Sequence, residues 1–309
     1  MTTSYDVIGD IHGHAAKLEA LLRQLGYVPS AGSWIPPQGR TAVFVGDLID
    51  RGPEQMEVVR IVRSMIDAGH ARSIMGNHEF NAIAYATRRD DGSDGFLREH
   101  SEKNIGQHAE FLDQVKEGSP SHRELIEWFR QLPPMLDLDG IRVVHAWWHD
   151  PYVDLVASQW APGTPMSDAF LNAASTKGSP EWYAMDGLTK GLEVLLPDGQ
   201  SFLDHAGVAR HVVRTKWWLD EPRNLRDVAI FEGDQGHGLS DHPLPDDYLG
   251  APVEGSPVFV GHYWMKGRPE PMSRKVACLD WSAAKQGPLV AYRWDGEQEI
   301  DANKFHAAG

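Results

Sequence analysis

Five short segments put oxygen- and nitrogen-bearing side chains directly after apolar runs, most of them beside glycine. They are Gly9-Asp10-Ile11-His12-Gly13, Gly46-Asp47-Leu48-Ile49-Asp50-Arg51-Gly52-Pro53, Gly76-Asn77-His78-Glu79, His145 after Ile141-Arg142-Val143-Val144, and Gly261-His262 after Val258-Phe259-Val260. Asp and Asn oxygens together with His nitrogens form a donor set that suits Mn, Fe or Zn, whereas a pure magnesium site is built from oxygen alone. Glycine beside a donor lets the backbone turn sharply and pass close to an ion. Asp10 and His12, two residues apart, point the same way from an extended loop. Arg51 is a planar, permanently charged fork suited to phosphate oxygens. A single Gly-Asp after a strand is usually only a turn, so the weight lies in the set.

The elements that position these residues alternate. Tyr5–Ile8, Thr41–Val45 and Arg72–Met75 read as strands, each ending at a donor segment, and Gly140–Val144 and Pro257–Val260 do the same. Ala15–Leu25 and Glu54–Ala68 carry apolar residues at helical spacing, and Phe80–Arg130 reads as mostly helical with a break at Asp90–Gly95. Ser30–Arg40 reads as a loop, Asp168–Ala174 as a short helix, and Val276–Asp280 with Pro288–Trp294 as a closing antiparallel pair. Strand, site loop and helix in repetition define an α/β fold, in which sites form beyond the carboxyl ends of strands. The expected organisation is a single domain over residues 1–309 with a long insertion at 147–255. Within Asp220–Gly255 there are nine acidic residues against two arginines, the mark of a solvated excursion.

Composition narrows the function classes. The chain has 309 residues, 29 Lys+Arg and 44 Asp+Glu, and a formal net charge of −15. That balance disfavours extended nucleic-acid binding and anionic membrane surfaces, though a local cation can still draw a small anion. Cys278 is the only cysteine, which excludes an intrachain disulfide and a cysteine metal cluster and fits a reducing, cytoplasmic setting. The start of the chain lacks a basic, apolar leader, and no run of about 18 apolar residues marks a membrane span.

The blocks GDIHG, GDLIDRGP and GNHE resemble the signature of the calcineurin-like metallophosphoesterases, and Asp50-Arg51-Gly52 points to their phosphoprotein phosphatase branch, which includes bacterial Ser/Thr protein phosphatases and diadenosine tetraphosphate hydrolases. The resemblance covers Asp6–Glu79 well and beyond it rests on His145 and His262. It implies a four-layer α-β-β-α sandwich and two divalent ions, with Mn first and Fe or Zn as alternatives. It implies that Asp47 bridges the ions, that Asp10 and His12 complete one set of ligands, and that Asn77, His145 and His262 complete the other. Two ions roughly 3.5–4 Å apart clamp a phosphoryl group and lower the pKa of a bound water. By the same resemblance His78 protonates the leaving oxygen, Asp50 orients His78, Arg51 binds phosphate, and metal-bound hydroxide attacks in line. Arg214 is the candidate for a second phosphate-binding arginine, with Arg210 its rival.

Two departures and four unmatched histidines complete the reading. His145 is followed by Ala146-Trp147-Trp148 where the family has His-Gly-Gly or His-Ala-Gly, so Trp147 and Trp148 are either wall residues or a stacking surface for a base. Gly261-His262-Tyr263-Trp264 and Ala277-Cys278-Leu279-Asp280 resemble segments of the tetraphosphate hydrolases. His14, His149, His205 and His211 match no motif position. The first expectation is a Ser/Thr-phosphatase-like phosphomonoesterase acting on a phosphorylated protein or a small phosphate. The alternatives are symmetrical cleavage of a dinucleoside tetraphosphate and, in another class, a metal-retaining binding module without turnover.

Overall fold

The structure is a computed structural model that describes residues 4–309 apart from 31, 91, 162, 198, 204–207 and 232–241. His205 and part of the acidic stretch therefore lie outside the described residues. The chain divides into two compact units, Met1–Lys190 with Ser256–Gly309, and Gly191–Gly255.

In the first unit β1 (Ser4–Ile8) leads to α1 (Ala15–Gln24), the hairpin β2 (Val28–Ser30) and β3 (Ser33–Ile35), then β4 (Arg40–Phe44), α2 (Gln55–Asp67) and β5 (Ala71–Ser73). Three helices follow, α3 (Asn77–Ala86), α4 (Glu102–Val115) and α5 (Pro120–Phe129), then β6 (Met135–Leu138) and β7 (Ile141–Val144). After β7 come α6 (Asp150–Gln159), α7 (Asp168–Ser175) and α8 (Pro180–Lys190). The second unit holds β8 (Glu193–Leu195), β9 (Phe202–Leu203), β10 (Ala209–Arg210), β11 (Val212–Arg214) and α9 (Leu225–Val228). The first unit resumes with β12 (Val258–Val260), β13 (Val276–Cys278), β14 (Leu289–Trp294) and β15 (Phe305–Ala308).

Two mixed sheets carry the first unit. One has the order β15-β14-β1-β4-β5, the other β13-β12-β7-β6. In the first, Val7 sits opposite Val43 on the parallel side and Tyr292 on the antiparallel side. In the second, Phe259 lies opposite Val143 and Ala277, both parallel. One apolar cluster takes side chains from both sheets, among them Val7, Val43, Ile141, Phe259, Tyr292 and Trp294, so the sheets pack face to face. α1 and α2 turn their periodic apolar residues inward, Leu18, Leu21 and Leu22 from one and Val58, Ile61, Val62 and Met65 from the other. Ser101 and Ser119 cap α4 and α5 by accepting hydrogen bonds from Asn104 N and His122 N. The α/β class expected from the sequence is the one observed. No helix among the described residues is long and apolar enough to cross a membrane.

Two local expectations differ from the structure, and one strand had no expectation. The segment read as a loop forms the β2–β3 hairpin, with Val28 opposite Ile35. The strand β6, antiparallel to β7, has no strong alternation to announce it. The expected closing pair does not form: β13 pairs with β12, while β14 pairs with β1 and β15 in the other sheet. Both strands are buried along almost their whole length, so their apolar runs record burial without recording a partner. The second unit has its own small core of Val194, Leu196, Val213, Leu225 and Ala229, under antiparallel pairing of β8 with β11.

Trp294 is 2% exposed, stacks on Tyr5 with ring centroids 5.8 Å apart, and leaves no room for a side chain at Gly140, where a Cβ would stand 2.5 Å from the indole. Trp294→Ala is expected to lower unfolding free energy by about 3–5 kcal/mol, read by urea denaturation. A loss below about 1 kcal/mol would mean that this end of the sandwich does not hold the sheets together.

Candidate active site

The carboxyl ends of β1, β4, β5, β7, β12 and β13 all open on one cluster of buried polar groups. Asp10 and His12 follow β1, Asp47 follows β4, Asn77 follows β5, His145 follows β7, His262 follows β12 and Asp280 follows β13. Two donor groups converge, His12 with Asp47 and His78, and Asp47 with His145 and His262; within each, the donor atoms lie within 4.8 Å of one another. Asp47 belongs to both. Its Oδ2 is 3.5 Å from His12 Nε2, 3.3 Å from His145 Nε2 and 3.9 Å from His78 Nε2. Asn77 Oδ1 joins the second group, 2.8 Å from His262 Nδ1 and 3.2 Å from His145 Nε2. Asp10 enters from the side: its Oδ2 accepts from His262 N at 3.0 Å.

The loops that hold these side chains are strained. Eight described non-glycine residues have positive φ, and five of them are His12, Asp47, Asp50, Arg51 and His262. Left-handed backbone costs on the order of 1–2 kcal/mol at such residues and persists only where neighbours enforce it. The enforcement is visible. Glu79, wholly buried, accepts hydrogen bonds from Asp47 N, Leu48 N and Gly76 N at 2.8–2.9 Å. Gln55 accepts from Asp50 N at 2.7 Å and donates to Gly52 O at 2.6 Å. Asp280 accepts from Trp264 N and Ser282 N. Glycine is required at 76 and 261, where a Cβ would lie 2.1 Å from Asp47 Oδ1 and 2.0 Å from Asp10 Oδ1.

Protonation follows from burial and neighbours. Burial drives the His12 imidazole down to about 3, so it is neutral. Its Nδ1 donates to Ile49 O at 2.8 Å, which leaves Nε2 as a bare lone pair. Burial works against charge on His145 as well, but the adjacent Asp47 carboxylate prevails and raises it to about 10. Both His145 nitrogens face acceptors, Val45 O at 2.7 Å on one side and Asp47 with Asn77 on the other. Burial raises Asp47 too, yet His145, His78 and His12 outweigh it and hold the carboxyl well below its usual range. Asp10 is pushed well above that range by burial and then by the charge of Asp280.

These observations answer whether the residues fit the divalent ions the family implies. Asp10 Oδ1 and His12 Nε2 are buried without a hydrogen-bond partner. A neutral imidazole nitrogen, an unsatisfied carboxylate oxygen and a carboxylate shared by two donor groups are what a pair of cations needs. The residues fit.

Beside the donor groups His78 Nδ1 donates to Asp50 Oδ2 at 2.5 Å, and Asp50 Oδ1 accepts from His108 Nδ1 at 2.7 Å. Burial opposes the charge on Asp50, but the two imidazole hydrogen bonds bring its pKa down to about 2. Burial also opposes the charge on His78, where Asp47 and then Asp50 raise the pKa above that of a free imidazole. Arg51 Nη2 stands 3.3 Å from His78 Nε2, and a guanidinium can only donate, so in this arrangement Nε2 is an acceptor. The guanidinium also lies over the Trp264 ring, 4.1 Å from its centroid, which fixes its plane.

The predicted residues Asp10, His12, Asp47, Asp50, Arg51, Asn77, His78, His145 and His262 are thus brought together. Arg214 lies on β11 in the second unit, opposite Glu193. Its rival Arg210 lies on β10. Trp147 is 3% exposed and stacked on His149 at 4.4 Å, and Trp148 donates from Nε1 to Asp150. Sequence reasoning gave no role to Glu79, Gln55, His108 or Asp280. Asp280 carried the same signal as the others, a carboxylate at a strand end. His108 carried none, being one position in the amphipathic pattern of α4.

With this geometry the comparisons with known proteins agree. The sequence pattern described as "Calcineurin-like phosphoesterase" matches residues 4–176, and the chain belongs to that family. Among individual relatives, the asymmetrical bis(5'-nucleosyl)-tetraphosphatase PrpE of Bacillus subtilis (strain 168) is 44% identical over 75 residues, 24% of this chain and 31% of the relative. The chain therefore spans about a third of the length of that relative. The symmetrical bis(5'-nucleosyl)-tetraphosphatase of Ralstonia nicotianae is 26% identical over 292 residues, 93% of this chain and 87% of the relative. A protein serine/threonine phosphatase from Saccharomyces cerevisiae shares the fold at a TM-score of 0.51 and 14% identity, over 99% of this chain and 79% of its own.

A cation taking His145 Nε2 must displace its proton, because the metal-free imidazole titrates at about 10. Below that pH the apparent affinity for Mn(II) or Zn(II) is expected to rise about tenfold per pH unit for each proton released, with His145 supplying at least one. Competition titrations from pH 6.5 to 8.5 check the slope. A flat profile would remove His145 from the ligand set.

Proposed function

We propose that the chain is a dinuclear metal-dependent phosphohydrolase whose substrate is a dinucleoside polyphosphate cleaved at a phosphoanhydride bond. The observation that carries the phosphohydrolase reading is Asp47 shared between two buried donor groups, with the His78–Asp50 pair alongside. The nucleotide substrate is supported by the tetraphosphatase relative aligned over 93% of the chain. In this reading Asp10, His12 and Asp47 hold one ion, and Asp47, Asn77, His145 and His262 hold the other. Mn(II) is the proposed ion, supported by the mixed oxygen and nitrogen donors. When bound, the two ions supply Lewis-acid charge to the phosphoryl oxygens and lower the pKa of a water poised for in-line attack.

The chain's own residues do the rest. Arg51 turns its fork from His78 Nε2 to the non-bridging oxygens of the phosphoryl group. That frees Nε2 to carry the proton whose affinity Asp47 and Asp50 raise. Asp50 holds Nδ1, so the proton is delivered from Nε2 to the leaving oxygen. Arg214 is retained as a second phosphate contact on the resemblance alone. The same reading takes 147–255 as an insertion in one phosphoesterase domain and, from the single buried cysteine, a cytoplasmic location.

A second reading, phosphomonoester hydrolysis as in Ser/Thr phosphatases, is favoured by one observation. The tight His78–Asp50 pair is a strong device for protonating an alkoxide, a poor leaving group, and a phosphate leaving group needs it less. His78→Asn is therefore expected to cut kcat on an alkyl phosphate by about 10²–10⁴ and on an aryl phosphate by much less. Equal losses on both would deny His78 the role of acid.

The substrate test is a panel with Mn(II) supplied. Diadenosine tetraphosphate is expected to yield ADP as the sole nucleotide product, and a chelator to stop the reaction. Phosphate release from phosphopeptides with no cleavage of the dinucleotide would replace the first reading by the second. Metal binding with no turnover of the dinucleotide or of any phosphate ester would leave only the binding module.

A further inference from the structure

A cavity of about 110 Å³ opens from the His78–Asp50 pair. Arg51 and His78 line its near end, and Asn81, Arg98, Gln107 and His108 line its far end. Apart from the hydrogen bond of His108 to Asp50, none of the far-end residues has a part in the chemistry above, and their arrangement is specific. Arg98 donates to Asn81 Oδ1 at 2.6 Å, to Gln107 Oε1 at 2.9 Å and to Asn104 Oδ1 at 3.0 Å. No carboxylate pairs with it among the described residues. Three amide oxygens fix a guanidinium in place without cancelling its charge, which a carboxylate would do.

The amides are constrained in turn. A guanidinium offers donors only, so each amide must face it with oxygen and keep its NH2 for something else. Asn104 gives its NH2 to Glu99 O at 2.8 Å. Asn81 and Gln107 are left with donors. Asp50, the nearest source of negative charge, already has one oxygen on His78 and the other on His108. His108, 5% exposed, gives its Nδ1 proton to Asp50, so its buried, unpartnered Nε2 is a lone pair and adds no donor. The far end therefore offers the amide donors of Asn81 and Gln107 and a guanidinium whose hydrogen bonds go to neutral amides, the chemistry of an anion site.

The segment bearing Arg98 is held stiffly. Tyr85 stacks on His100 at 3.7 Å, His100 on Phe96 at 4.0 Å, and Arg88 lies 5.0 Å over Phe96. Arg98 N donates to Ala84 O, closing the segment onto the end of α3. The guanidinium is thus oriented before any ligand arrives, which reduces the entropic cost of binding.

We propose that this cavity is a second phosphoryl site, with Arg98 as its specificity-determining residue, binding the phosphate next to the one under attack. This deepens the phosphohydrolase reading and rests on it. The substrate class it selects is the phosphoanhydride. A phosphomonoester has no second phosphate to place against Arg98.

ADP and AMP differ by one phosphoryl group and serve as the probes. Their inhibition constants are measured against turnover of an aryl phosphate, with Mn(II) in excess over nucleotide. Wild-type protein is expected to prefer ADP at least tenfold, and Arg98→Gln to collapse that preference to within about threefold, with Arg98→Lys between. Gln107→Leu is expected to weaken the preference as well, and it decides the matter if Arg98→Gln fails to fold by circular dichroism. Equal binding of ADP and AMP by wild-type protein, or a preference untouched by both variants, would overturn the proposal. If neither aryl phosphate nor diadenosine tetraphosphate is turned over, the phosphohydrolase reading fails on its own. Calorimetric titration with ADP and AMP then gives the same ratio without catalysis.

Discussion

Buried negative charge is the constraint to which this molecule is built. Asp6, Asp10, Asp47, Asp50, Glu79 and Asp280 are all at most 3% exposed. A carboxylate taken out of water is costly unless it is paired and hydrogen-bonded. Asp6, within β1, is satisfied by the protein itself: Arg40 and Arg293 reach it at 2.9–3.0 Å and Tyr27 donates to it. Four residues along the same segment the provision stops. Asp10 keeps one oxygen without a partner, and burial, then the charge of Asp280, drives its carboxyl toward the neutral form. Asp47 is held ionised because His145, His78 and His12 together outweigh its burial. The contrast between Asp6 and Asp10 is the physical case for cations at the second and not at the first.

The same constraint explains the backbone. Donors from two sheets can meet at one point only if each loop turns abruptly at its strand end, and four donor or phosphate-binding residues, with Asp50, adopt left-handed φ to do so. Strain of this sort is tolerated when the surroundings over-determine it. Glu79 is the clearest agent. One buried carboxylate ties the loop after β4 to the loop after β5 through three backbone amides. Asp47 and Asn77 are thereby fixed relative to each other before any ligand binds. The sandwich core beneath them, shared by both sheets, gives the loops a rigid base. Preorganised groups at such a base do not have to reorganise when charge develops on a substrate.

Much of this was legible in the chain, for a reason that also marks the boundary. Asp10, His12, Asp47, Asn77, His145 and His262 each sit at a strand end, so a strand pattern and a donor residue are read within one short window. Asp280 obeys the same rule and was readable by it. His108 and Arg98 were not. His108 is one turn in an amphipathic helix, where a histidine at an inward position looks like any packed residue, and it reaches Asp50 across 58 positions. Arg98 lies in a polar connection, and its meaning depends on three amides from two helices. The pairing of β13 and β14 failed for a related reason: a strand buried on both faces has no alternation to say which sheet it joins. The −15 charge was legible and incomplete, since it sums a surface and says nothing of a cleft that holds Arg51 and Arg98.

Asp50 joins the two halves of the site. Its carboxylate is divided between two imidazoles, one hydrogen bond to His78 beside the donor groups and one to His108 in the wall of the cavity. A single acceptor serving two donors keeps its own charge, which its low pKa of about 2 expresses. It also ties the position of each ring to the other. The proton donor for the leaving oxygen and the wall that would receive the next phosphate are therefore set by the same carboxylate. Two donor groups sharing Asp47 can serve any phosphoryl ester, and fold alone does not choose among them. The choice of substrate falls to what stands beyond His78, and there the structure places a guanidinium held by three neutral amides.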